Sequence, residues 1–235
     1  MLSLRVTKLW VKPASKAAML GTDTLVFSSI IGGVEGSIDV DPQSPRQVLL
    51  GSASDRSQMM GATERLRWNL ELDHHELAPG DIVEFEGGLA LWLSMTCESC
   101  KTLTGIADWH QLGPRRGVFG VVLSDGVLQI GNAARVIRRT SALSDDRAER
   151  IAQSLQFIGP NDRSDIRLTD LLRWAGIQTV YARAFPKYLP RVAELVPEHV
   201  ERIVRSDGSR FVEGGPPIDD PVSYTHLTLP TNREV

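Results

Sequence analysis

Seven short β-type runs crowd into the first 137 residues, and their close spacing limits the folds open to this chain. Residues 4–11 (LRVTKLWV) alternate apolar and polar side chains as a half-buried strand does. Comparable runs follow at 47–50, 68–72, 82–85, 89–95, 118–123 and 127–130. Turn chemistry separates them, at Ala78-Pro79-Gly80-Asp81, Glu86-Gly87-Gly88 and Ser124-Asp125-Gly126. Strands this short and close cannot accommodate a helix between every pair. The pattern predicts a mostly antiparallel β-barrel over residues 1–140 rather than alternating β and α units. Only 103–112 (LTGIADWHQL) reads as helical within it.

Beyond residue 140 the period changes. Ser144 is placed to cap DDRAERIAQSLQFI, with acids in the first turn and Ile151, Leu155 and Ile158 on one face. GPNDRSD breaks the chain. Helical segments at 169–175 and 180–189 follow, then a strand–turn–strand pattern about Asp207-Gly208. Residues 141–221 therefore read as a small α-rich, winged-helix-like module. The last stretch, VSYTHLTLPT within 222–235, resembles the in-frame translation of a sequencing adapter and is expected to be a non-native, disordered tail.

With 235 residues, 42% of them hydrophobic, the chain can bury one large core or two small ones. A net charge of −3 gives no global reason to bind nucleic acid or an acidic membrane. No apolar run is long enough to cross a bilayer, and MLSLRVTKLWVKP lacks the form of a secretory signal. A cytoplasmic location without a membrane partner is the expectation.

The only two cysteines stand in Thr96-Cys97-Glu98-Ser99-Cys100-Lys101. Four readings are open. A zinc site needs four ligands, and His74, His75 and His110 are available, though not at finger or ribbon spacing. A redox pair would open a helix in a βαβ setting, which is missing here. Two inert buried thiols are a third reading. The fourth is one working thiolate at the rim of the barrel. There, a helix starting after Cys100 and the neighbouring Lys101 would both favour the ionised form. Such a thiolate suits a soft metal or a persulfide.

Several fragments, taken in order, resemble the MOSC domain, the module found at the C-terminus of molybdenum-cofactor sulfurases and in amidoxime-reducing molybdenum proteins. They are GGVEG (32–36), RQVLL (46–50), LRWNLEL (66–72), LAPGD (77–81), CESCKTL (97–103) and RRGVFGVVLSDGVLQIG (115–131). The resemblance covers about residues 5–137. It implies that Cys100 is the reactive, molybdenum-ligating cysteine and that Cys97 is a bystander. It also makes Arg46, Gln47, Asn69, Lys101 and Arg116 candidates for holding the anionic molybdenum cofactor (molybdopterin), arginine's planar fork suiting phosphate and carboxylate. The segment between the RQVLL and LRWNLEL strands, usually helical, is compressed here to SASDRSQMMGATER. The strand end reads Gly131-Asn132 rather than Gly-Asp.

Residues about 165–215 resemble, more faintly, the DNA-binding domain of O6-alkylguanine alkyltransferases and alkyltransferase-like proteins. RLTDLLRWAG, TVYARAF and ERIVRSDG carry that likeness. Val200 stands where the alkyl-accepting cysteine would be, so alkyl transfer is excluded. Arg183 and Lys187, one α-helical turn apart, are the DNA-contact candidates, whereas Trp174, Tyr181, Phe185 and Leu189 read as core. The expectation is a protein that binds molybdenum cofactor or carries sulfur through Cys100. Its class would be a molybdenum-dependent oxidoreductase acting on N-hydroxylated substrates, or a sulfur transferase, served by an electron-donor or sulfur-donor protein. The alternative is a non-enzymatic DNA-binding or damage-sensing protein with the barrel as scaffold.

Overall fold

The fold is given by a computed structural model, which describes residues 4–58, 66–73, 77–97, 116–137, 142–157, 164–205 and 207–211. Among the described residues, eleven strands lie in the first part: β1 Leu4–Val11, β2 Leu20–Thr22, β3 Thr24–Ser28, β4 Gly33–Val34, β5 Val48–Ser52, β6 Leu70–Leu72, β7 Ile82–Phe85, β8 Ala90–Thr96, β9 Val118–Ser124, β10 Gly126–Gln129 and β11 Ala133–Ile137. Seven of them run in the order β11-β7-β8-β9-β5-β6-β1, and β11 pairs back onto β1 through Leu4↔Ala134. The sheet is thereby closed. β2 extends β1, and β10-β3-β4 form a small second sheet.

The expected mostly antiparallel barrel needs correction, because the barrel is mixed. β5 and β6 are parallel, with Leu50↔Leu70 and Ser52↔Leu72 in register. Parallel neighbours need a crossover rather than a tight turn. The chain between them supplies one, opening with helix α1 (Ala53–Gln58). Alternation along the strands sets the core. Val48, Leu50, Val118 and Val122 join Leu4, Val6, Phe27, Leu70, Leu91 and Leu93 inside the barrel. Leu49, Phe119 and Val121 fall on the opposite, outer face of the same ladder. Glu71 is fully buried and takes hydrogen bonds from Thr7 Oγ1 at 2.7 Å and Arg56 Nη2 at 3.0 Å, tying α1 to the barrel wall.

The second part holds α2 (Arg147–Phe157), β12 (Ile166–Arg167), α3 (Leu168–Trp174), a 3-10 helix (Thr179–Lys187), α4 (Leu189–Leu195), α5 (Pro197–Val200) and β13 (Ile203–Val204). Ile151, Leu155, Leu171, Phe185 and Val192 form its core. Here too the structure corrects the sequence reading. Asp146, rather than Ser144, caps α2, its Oδ1 accepting the Glu149 N–H at 2.9 Å; Ser144 Oγ instead reaches Glu149 Oε2 and takes the Asp146 N–H. The expected α-helix at 180–189 is a 3-10 helix, with Pro186 inside it. At the wing position a turn about Gly208 carries one antiparallel bridge, Val204–Arg210. A winged helix was expected from an α-helix with a wing behind it, and the described residues show a 3-10 helix and a single bridge.

The helices rest on the outer face of the barrel. Trp92 of β8 donates its indole N–H to Trp174 O at 2.8 Å, and its ring lies 4.5 Å from that of Phe157. Gly176, at φ +67°, seats the end of α3 so close to β8 that a Cβ there would lie 2.1 Å from Ser94 O. Among the described residues no helix is long and apolar enough to cross a membrane.

Candidate functional site

β8 delivers the cysteine segment to one end of the barrel, where Thr96 pairs with Val118. Cys97 follows, 4% exposed, with its N–H donating to Gly117 O at 2.8 Å. Residues 98–115, which join these two points in sequence and include the expected helix at 103–112, lie outside the described residues. Cys100, Lys101 and His110 belong to that segment; with His74 and His75, they lie outside the described residues. Cys97 is thus set into the barrel wall three residues before Cys100 in sequence. Among the described residues, no three His, Cys, Asp or Glu side chains gather as metal ligands.

Backbone close to Cys97 is packed tightly. Trp68 lies across Gly51, where an added Cβ would stand 2.1 Å from the ring, and its indole N–H donates to Arg116 O at 2.8 Å. Gly117, at φ +108°, lets the chain pass Leu50 O. Arg116 itself is 5% exposed, so its side chain belongs to this packed layer rather than to an open surface.

The sequence candidates divide sharply once placed. Gln47 is buried and spent on backbone: its Nε2 donates to Asp41 O and Pro42 O, and its Oε1 accepts the Val122 N–H at 2.9 Å. Asn69 stitches β6 to β5, with Oδ1 accepting the Leu49 N–H at 2.9 Å. Gln47 is a structural brace with both amide atoms occupied, and Asn69 braces through its amide oxygen alone. Arg46 and Arg116 were both candidates for the anionic tail, and they differ in setting: Arg46 is exposed, whereas Arg116 is buried and its carbonyl accepts the Trp68 indole N–H.

Arg46 alone keeps an open guanidinium. It is exposed, and its Cζ stands over the Phe119 ring, 5.6 Å from the centroid. Gln178, beyond α3, meets it from the helical part. The guanidinium has only donors, so the amide atom facing it is assigned as the oxygen, 2.9 Å from Nη2, 3.1 Å from Nη1 and 3.3 Å from Nε. An atom that close to all three nitrogens sits over the guanidinium plane near Cζ. The contact is therefore charge to dipole, and the in-plane N–H rim remains available. No carboxylate among the described residues pairs with Arg46.

Two further residues, Arg67 and Gln178, were not singled out from sequence. Arg67 is exposed, with φ +58°, between buried Leu66 and Trp68. This left-handed backbone turns its neighbours inward and leaves the arginine on the outside, at the start of β6 and beside the start of β5. Its place in LRWNLEL was the available signal. Gln178 had none, since its role depends on how the helices dock. The DNA-contact pair changes as well. Arg183 and Lys187 are both exposed, but at three residues per turn positions four apart diverge by about 120°, so the shared face is lost. Of the residues read as core, Phe185 is fully buried, while Tyr181 is 43% exposed beneath Arg147.

No family model and no curated protein matches the chain. Among solved structures, the YuaD protein from Bacillus subtilis aligns over 57% of this chain and 96% of its own, at 16% identity and TM-score 0.49. YiiM from Escherichia coli aligns over 81% and 93%, at 18% identity and TM-score 0.46, and YiiM from Geobacillus stearothermophilus over 79% and 98%, at 16% and 0.42. Likenesses this distant carry no argument about activity, and the closed mixed barrel rests on the strand pairings themselves.

Proposed function

We propose that the barrel binds an anionic cofactor or substrate along the outer face of β5 and β9, and that Cys100 is the working thiolate beside it. One observation supports this most directly. The Arg46 guanidinium lies over Phe119, two residues along β9 from Gly117, and Gly117 O holds Cys97, three residues before Cys100 in sequence. Two residues of strand span roughly 7 Å, within the length of a small cofactor. An anion held at the N–H rim of Arg46, with Arg67 adding positive charge, would thus lie within reach of a thiolate carried by 98–115.

The MOSC resemblance of residues 5–137 makes the molybdenum cofactor the best candidate ligand. Arg46 fits its anionic tail, having an open donor rim and no carboxylate partner among the described residues; Gln47 does not, its amide being committed to backbone. When bound, the cofactor would supply redox chemistry suited to N-hydroxylated substrates, with electrons from a donor protein. In the sulfur-carrier version no metal is required. The Cys100 thiolate attacks the outer sulfur of a donor persulfide, forming a Cys100 persulfide and releasing the donor thiolate. Purified protein from a cofactor-competent host separates the versions: stoichiometric molybdenum supports the first, and cyanide-releasable sulfur without metal supports the second. Neither would overturn both.

A further inference from the structure

The geometry points to Gln178 as the positioning residue for Arg46, so that the helical part sets the anion affinity of the barrel. This rests on Arg46 being the anion-binding group. A free arginine on a surface samples many rotamers, and fixing it before binding removes that entropic cost from the complex. Here one contact to its head group comes from each part of the molecule: the Phe119 ring from β9, and the Gln178 amide oxygen from the segment after α3. Both act on the head while sparing its donor rim.

The segment carrying Gln178 is itself anchored against the loop that carries Arg46. Arg173 Nη1 donates to Pro42 O, an oxygen that also accepts from Gln47 Nε2. Ser94 Oγ donates to Pro45 O, and Gly176 packs on the Ser94 carbonyl. The end of α3 thus grips the 42–47 loop on one side and presents Gln178 to the arginine on the other. A neutral amide is the chemistry such a role needs. It attracts the guanidinium without neutralising it, whereas a carboxylate in the same place would compete with the ligand.

The test is isothermal titration of inorganic phosphate and pyrophosphate into the full chain and three variants at low salt. Gln178→Glu keeps size and packing but places a rival anion over the guanidinium. It should lower affinity tenfold or more while leaving the thermal midpoint unchanged or higher. Gln178→Met removes the dipole without adding charge and should lower affinity a few-fold. Arg46→Ala should abolish the response. If Arg46→Ala abolishes binding while Gln178→Glu binds as the parent does, the positioning role is wrong and the anion site stands. If Arg46→Ala binds as the parent does, or the parent binds neither anion, the anion site fails and the positioning role fails with it.

Discussion

Asp125 shows how single side chains hold this chain together without burial. Its Oδ1 accepts both the backbone N–H and the hydroxyl of Ser29 at 2.7 Å, joining the end of β3 to the β9–β10 turn. The backbone bond chiefly, then the hydroxyl, hold its pKa below the ordinary 3.8. A carboxyl depressed in the folded state contributes stability that is full above its unfolded pKa and lost as pH falls through the folded value. The midpoint difference between the parent and Asp125→Asn should therefore be largest above about pH 4 and shrink toward nothing in stronger acid. A difference that stays constant from neutral pH to pH 2 would exclude this linkage. Gly51 is a steric case. Gly51→Ala drives a Cβ into the Trp68 ring and should cost about 1–3 kcal/mol in denaturant melts; unchanged stability would mean that Trp68 does not rest there.

Among elements, α1 and the end of α3 carry the sharpest consequences. α1 is tied to the barrel by Arg56 and the fully buried Glu71. Removing the arginine strands the buried carboxylate, so Arg56→Met should destabilise by about 3 kcal/mol in urea unfolding. Gly176→Ala, at φ +67° against the Ser94 carbonyl, should loosen the helical part from β8, seen as faster proteolysis within 142–211 while the barrel survives. Long alternating strands were legible: 4–11 and 82–85 match β1 and β7 to the residue, and β8 and β9 shift by one. β4, with two residues, and β2 and β6, with three each, carry too little pattern to declare their ends. The parallel pairing of β5 and β6 was illegible for another reason: local alternation is the same in either direction, and only the crossover decides it. The 3-10 helix at 179–187 was masked by apolar spacing that also suits an α-helix, although Pro186 was visible throughout.

The whole molecule is a closed seven-strand mixed barrel with a helical cluster on its outer face, and its candidate site lies where the two meet. What sequence gave of that site was uneven. Arg46 was legible as a cation in a motif, but Gln47 looked equally available until its backbone partners were seen. A polar residue's type does not reveal whether its atoms are already spent. Gln178 could be found only in three dimensions. The proposed function nonetheless turns on one thiol. Molybdenum and cyanide-releasable sulfur should be measured together in the parent, Cys100→Ser and Cys97→Ala proteins from a cofactor-competent host. The prediction is stoichiometric metal or sulfur in the parent, retained in Cys97→Ala and absent from Cys100→Ser. Equal loss from both cysteine variants, or retention in Cys100→Ser, would contradict a single working thiolate.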